Sequence, residues 1–296
     1  MAEVMEITLL DGGLGQELLA RSAAAPTGLW STQFLIDQPE LVRELHRDYF
    51  SAGADVVTSN SYTLLPDRLS PFGLEERFAE LHRLACQLAV SARDEHGEGL
   101  VAGGMGPVGR SYRPDLAPPV EEAAELYARI ASIQEPYVDI FLCETMSSVA
   151  QARGAVMGAS TGRRPVWLAV SVDDEDGTRL RSGEAITDIL PLLSEFDLAA
   201  LLVNCSPPEA VSQALILLEG QDIPLGAYAN GFVNIAPDFL LEGATVDLLQ
   251  ARDNMGPEVY AHFAEDWTRQ GATIIGGCCE IGPAHIEVLA KRFKGD

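Results

Sequence analysis

Cys278 and Cys279 stand side by side, directly after Gly276-Gly277 and at the predicted end of a β-rich run. Cys205 ends another such run, in Val203-Asn204-Cys205-Ser206. Thiolates are soft ligands, and three of them with an open fourth position describe a zinc site able to take one more thiolate. The two glycines leave the backbone free to turn sharply before the pair. Plain packing or a strained vicinal disulfide are the competing readings. The other cysteines, Cys86 and Cys143, read as small apolar core residues. An odd cysteine count in a long chain argues against a disulfide framework.

Two carboxylates share the same kind of address. Asp11 ends the first β-rich run, and Glu144 ends the fourth, in Leu142-Cys143-Glu144-Thr145. From a strand end either could hold a substrate ammonium or hydroxyl by charge-assisted hydrogen bonds. Either could equally cap a local turn. Asn60 and Tyr62 follow the second run, and Asn230 follows the seventh. Trp30 and Tyr62 fall on loops, where an aromatic face could receive a cationic ligand or simply pack.

Other signals fail their context tests. Gly104-Met105-Gly106-Pro107-Val108-Gly109 fits G-x-G-x-x-G, but Pro114, Pro118 and Pro119 follow where a dinucleotide site needs a helix. The histidines form no H-E-x-x-H pair, and no G-x-S-x-G elbow occurs. His285 sits in the turn after the cysteine pair, and helix N-terminal packing explains it equally well.

These residues need elements to position them, and hydrophobic periodicity supplies eight strand–helix units. The predicted strands are Ile7–Asp11, Asp55–Ser59, Leu100–Gly103 and Val138–Cys143, then Pro165–Ser171, Ala200–Asn204, Ile223–Tyr228 and Thr273–Gly276. The predicted helices are Pro39–Ala52, Leu74–His96, Val120–Gln134 and Ser147–Gly158, then Ala185–Ser194, Pro207–Glu219, Gly256–Gln270 and Pro283–Phe293. That alternation predicts an α/β fold, a single (β/α)8 barrel over residues 1–296, with an open doubly wound sheet as the alternative. No linker or short repeat divides the chain. The long irregular stretches Ala20–Leu35, Gly104–Pro119 and Gly231–Asn254 all follow strands, which in a barrel places them at the C-terminal mouth. One strand separates the sixth from the eighth, close enough for three sulfurs to meet.

The 296 residues carry 20 Lys and Arg against 44 Asp and Glu, a formal net charge of −24. With no basic run, nucleic acid and anionic membranes are excluded as partners. The acidity is read first as solubility. No segment reaches the roughly 18 apolar residues of a membrane span. The start, Met1 to Leu10, has no basic region of a secretory signal, so a cytoplasmic location is expected.

Taken together, the motifs resemble the homocysteine S-methyltransferase family. The matching segments are Asp11-Gly12-Gly13-Leu14-Gly15, Ala54 to Tyr62, Gly104-Met105-Gly106-Pro107 and Glu144-Thr145. Val203-Asn204-Cys205-Ser206, Tyr228-Ala229-Asn230-Gly231 and Gly276-Gly277-Cys278-Cys279-Glu280 complete them, in family order over nearly the whole chain. The resemblance implies a barrel holding one Zn2+ through Cys205, Cys278 and Cys279. It implies that Asp11 and Glu144 hold the homocysteine amino-acid end, with Gly12 and Gly13 offering N–H groups to its carboxylate. Asn230 matches the family's Asn after strand seven and is a candidate for the fourth zinc position. Trp30 and Tyr62 become candidates for the methyl donor: S-methylmethionine, S-adenosylmethionine or glycine betaine. The expected partners are thus homocysteine and a small onium donor, with a homo-oligomer left open. Tyr228-Ala229-Asn230, Glu280 and the segment around Ser111-Tyr112-Arg113-Pro114 depart from the sulfonium-using subgroup, so the donor stays open. A non-catalytic zinc- or thiol-sensing barrel and a zinc hydrolase are the competing functions.

Overall fold

Eight short strands pair in parallel, each followed by a helix on the outside. The computed structural model describes residues 6–22, 25–241 and 244–295. The first five residues of the stretch read for a secretory signal, and two positions in each of the first and third long loops, lie outside the described residues. The strands are β1 (Thr8–Leu9), β2 (Val56–Thr58), β3 (Leu100–Met105), β4 (Ile140–Met146), β5 (Val166–Val170), β6 (Leu198–Asn204), β7 (Leu225–Tyr228) and β8 (Ala272–Ile275). They hydrogen-bond in the order β1-β8-β7-β6-β5-β4-β3-β2. A parallel bridge between Leu10 and Val56 joins the two ends, and the sheet closes into the (β/α)8 barrel.

The strands alternate strictly between two cores. Leu10, Val56, Ala102, Leu142, Ala169 and Leu202 belong to one cluster, the barrel interior, with Tyr228 and Ile274. Their neighbours Leu9, Val57, Val101, Phe141, Leu168 and Leu201 belong to the larger cluster beneath the helices. Successive side chains of a strand point to opposite faces, so this is the expected period of two. Cys86 and Cys143 are fully buried in the outer cluster, as the sequence suggested.

The helices are α1 (Leu14–Arg21), α2 (Ser31–Asp37), α3 (Pro39–Ser51), α4 (Pro66–Leu69), α5 (Phe78–His96) and α6 (Val120–Gln134). They continue as α7 (Val149–Ala159), α8 (Pro191–Glu195), α9 (Pro208–Leu218), α10 (Pro257–Arg269) and α11 (Pro283–Lys294). Local chemistry sets their ends. Pro39 opens α3 where an N–H is not needed, Ser148 accepts the Gln151 N–H at the start of α7, and Gly97 takes a left-handed φ of 100° to stop α5. No described helix is long and apolar enough to cross a membrane.

Three segments differ from expectation. The first mouth loop is not irregular throughout: α1 ends inside it at Arg21, and α2 covers its last residues from Ser31. Helix α5 starts four residues late, after short 3-10 turns at Ser70–Phe72 and Glu75–Arg77. The region predicted as one helix, Ala185–Ser194, splits into a 3-10 turn (Ile186–Ile189) and α8, since Pro191 has no N–H to continue the ladder.

The seam between β1 and β2 relies on a side chain. Asp55 Oδ2 accepts the Leu9 N–H at 2.8 Å, the Asp55 N–H donates to Leu9 O at 2.7 Å, and Lys294 Nζ meets Asp55 Oδ1 at 2.5 Å. Asp139 does the same for Val101 N–H at 2.9 Å on the far side of β3. Removing the acceptor leaves the buried Leu9 donor unpaired. Asp55→Ala is therefore expected to lower unfolding stability by about 1–3 kcal/mol. Asp55→Asn, which keeps an acceptor, should lose less. Denaturant midpoints for the two variants check this; equal losses would remove the acceptor role.

Candidate active site

The alternation along β6 would send position 205 outward with 201 and 203. Instead Cys205 adopts a left-handed φ of 49°, which breaks the alternation and turns its side chain into the mouth. For a residue with a Cβ such a backbone costs about 1–3 kcal/mol and needs neighbours that enforce it. They are present. Asn204 Nδ2 donates to Thr145 Oγ1 at 2.9 Å and Asn204 Oδ1 accepts the Thr145 N–H at 3.0 Å, bracing β6 against β4. Ser206 Oγ accepts the Val172 N–H at 3.0 Å on the other side. Thr145 is itself left-handed, at φ 63°.

The cysteine pair is held just as firmly by backbone. Cys278 N–H donates to Ala229 O, Gly277 N–H to Asp11 O, and Gly231 N–H donates to Cys279 O, all at 2.9 Å. A Cβ on Gly13 would lie 2.6 Å from Cys278 O, so only glycine lets the first loop pass this turn. The three sulfurs converge: Cys205 to Cys279 and Cys278 to Cys279 are each 4.0 Å apart, and the set lies within 4.8 Å. Tetrahedral ligands at a Zn–S distance of about 2.3 Å sit about 3.8 Å apart. The donor set and its spacing thus fit a thiophilic divalent ion. Among the described residues it is the one such cluster with ligand atoms so placed.

Beside the sulfurs lies a cavity of about 480 Å³, lined by Asp11, Glu144, Trp30, Tyr62 and all three cysteines. Glu144 continues the inward face of Ile140 and Leu142. Gly104 makes room for it, since a Cβ there would come within 3.1 Å of Glu144 Oε1. Asp11 Oδ2 accepts the Thr58 N–H at 2.8 Å. Burial raises the Asp11 pKa from 3.8 to about 7, partly offset by the Thr58 bonds. Burial raises that of Glu144 from 4.5 to about 8, with added repulsion from Cys205 and Asp11. Two buried acids beside three sulfurs favour a cationic guest, which would draw both toward their ionised forms.

Trp30 and Tyr62 meet edge to face at 6.1 Å on the outer wall. Arg68 lies 5.7 Å from the Tyr62 ring centre, so one face of that ring already has a cation. Of the two glycine amides, Gly13 N–H is donated to Ile281 O at 2.8 Å, which corrects its expected role. Gly12 and the first turn of α1 also line the cavity. Asn230 does not line the cavity: it is 1% exposed and its Oδ1 accepts the Phe232 N–H at 3.2 Å. His285 caps α11 by accepting the Gly282 N–H and bonds Met255 O, as expected. No α-helix begins after the G-x-G-x-x-G segment before Val120. Sequence reading missed Thr58, the Asn204–Thr145 brace, and Tyr112, whose hydroxyl is 3.1 Å from Cys205 Sγ.

The raised acids have a consequence for the metal-free protein. Between about pH 4 and 8 the folded chain binds more protons than the unfolded one, so stability falls as pH rises through that window. The slope is at most about 1.4 kcal/mol per pH unit for each group. Glu144→Gln and Asp11→Asn should each flatten the decline in melting temperature between pH 5 and pH 8. A wild-type slope in both variants would show that neither acid is protonated on folding.

Comparison with known proteins adds to this geometry. The sequence profile described as homocysteine S-methyltransferase matches residues 8–293. The homocysteine S-methyltransferase of Escherichia coli (strain K12) is 29% identical, with 99% of this chain and 97% of that protein covered. That of Bacillus subtilis (strain 168) is 28% identical over 96% of this chain and 93% of its own. A selenocysteine Se-methyltransferase of Brassica oleracea var. italica is 25% identical, covering 96% and 88%. Among solved structures, the metallated form of the Escherichia coli homocysteine methyltransferase superposes with a TM-score of 0.81 at 29% identity, covering 97% of this chain and 96% of that one. With a matching profile over almost its full length and the barrel to go with it, the chain belongs to the homocysteine S-methyltransferase family.

Proposed function

We propose that this protein transfers a methyl group from a small onium donor to the thiolate of homocysteine, giving methionine, with Zn2+ held by Cys205, Cys278 and Cys279. The observation that carries the reading is the convergence of three sulfurs on one wall of a cavity whose floor holds Asp11 and Glu144. Family membership supports the acceptor, and the metallated relative supports a metal. When bound, zinc would keep the acceptor thiol as thiolate near neutral pH, where a free thiol of pKa near 8.5 is mostly protonated.

The chain's own residues do the rest. Asp11 and Glu144 receive the acceptor ammonium, which favours their ionised forms and offsets their burial. Gly12 N–H and the start of α1 face the acceptor carboxylate. Trp30 and the open face of Tyr62 receive the donor cation, which is S-methylmethionine, S-adenosylmethionine or glycine betaine. Holding both substrates in one cavity aligns sulfur, methyl carbon and leaving atom. A new C–S bond forms as the C–S or C–N bond of the onium breaks, and its electron pair stays with the departing donor, which leaves neutral. No proton moves in that step, so no general base is needed. Three thiolate ligands would leave zinc electron-rich and a poor Lewis acid, which argues against a hydrolase built on a metal-bound water.

Purified protein with zinc, homocysteine and each of the three donors in turn is expected to form methionine with at least one. Methionine with none of them would leave a sensing barrel as the better reading. Cys278→Ser should lose stoichiometric zinc and turnover together. A folded variant that keeps both would show that the ligand set is wrong.

A further inference from the structure

Tyr112 stands out because its position is costly and its hydroxyl meets one of the three sulfurs. It comes from the loop after β3, holds a left-handed φ of 64°, and is 8% exposed. Its hydroxyl lies 3.1 Å from Cys205 Sγ. Arg181 covers the ring, with its guanidinium carbon 4.5 Å from the ring centre. Arg181 is in turn fixed by Asp174 at 2.5 Å and by Ser171 Oγ at 2.8 Å. Asp174 Oδ2 also accepts the Ile235 N–H at 2.6 Å, and Ser171 Oγ bonds Ser206 Oγ at 3.1 Å, next to Cys205. Four mouth loops therefore converge on a single O–H aimed at one of three sulfurs. Cys279 meets Cys205 and Cys278, each at 4.0 Å, and has the Gln16 amide beside it.

We propose that Tyr112 is a positioning residue for the Cys205 ligand: its O–H, backed by Arg181, donates to that sulfur and makes it a weaker nucleophile than the acceptor sulfur. This rests on the metal reading of the three cysteines. A divalent ion with three thiolates is net negative, and an acceptor thiolate deepens the charge in a buried site. A methyl donor in the cavity meets four sulfurs and must react at one. A hydrogen bond withdraws electron density from Cys205, while the cation over the ring makes the phenol a better donor. The bond also resists rotation of Cys205 out of its left-handed turn.

The test uses the full chain loaded with Co2+, whose sulfur-to-metal charge-transfer band reports thiolate donation. Tyr112→Phe removes only the hydroxyl. The band is expected to move to lower energy, and Arg181→Met should move it the same way by less. The zinc-loaded proteins are then exposed to methyl iodide, in which a thiolate sulfur displaces iodide, and each cysteine is read by mass spectrometry. Methylation of Cys205 should be about tenfold faster in Tyr112→Phe, with Cys278 unchanged. A merely structural role would leave the band in place or raise all three rates together, and either result overturns the proposal. A wild-type chain that takes up no cobalt would overturn the metal reading, and this inference with it.

Discussion

The left-handed turn at Cys205 is the constraint on which the mouth depends. β6 delivers Asn204 and Cys205 to the rim in a register fixed by its neighbours β5 and β7. Regular backbone would then hide the sulfur among the helices. The Asn204–Thr145 brace holds the turn, and the same two hydrogen bonds hold Thr145 in its own left-handed conformation beside Glu144. One buried amide thus sets the Cys205 sulfur on β6 and the Glu144 acid on β4 together. Trp30, Tyr112 and Glu280 are the other non-glycine residues with positive φ among those described, and all three flank the same mouth. Strain collected around one opening is what a pre-set site looks like.

The second theme is charge of one sign. Asp11, Glu144 and three sulfurs crowd one end of the cavity, and each carboxyl is held back from ionising mainly by burial. A metal ion, an ammonium and an onium are each cations that relieve this crowding. The overall charge of −24 points the same way only weakly, because exposed charges beyond about 10 Å are screened in ordinary salt.

Much of this was readable from residues. The alternation Leu9/Leu10, Val56/Val57 and Phe141/Leu142 announces strands with two buried faces, and it survives intact in the barrel. Gly-Gly-Cys-Cys and Asn-Cys at strand ends pointed to one site because barrel topology brings the sixth and eighth strands within one strand of each other. What escaped depends on tertiary contact. Helices α1 and α2 form on a short stretch where Gly15 lets the Trp30 ring pack against the backbone, a pairing that periodicity does not register. Tyr112 reads as one more loop tyrosine until its backbone turn and the Arg181 stack are seen. Gly13 looked free because the carbonyl that takes its N–H, Ile281, lies 268 positions away in the chain.

The seam of the barrel passes through the floor of the cavity. Asp11 donates its N–H to Val56 O and accepts the Thr58 N–H with its carboxylate, so the last rungs joining β1 to β2 are made by the acid that faces the cavity. Closure of the cylinder and occupancy of the floor are thus one structural event. A guest that fixes the Asp11 carboxylate also fixes the zip between the first and second strands, and slower amide exchange at Thr58 would register its arrival without any chemistry taking place.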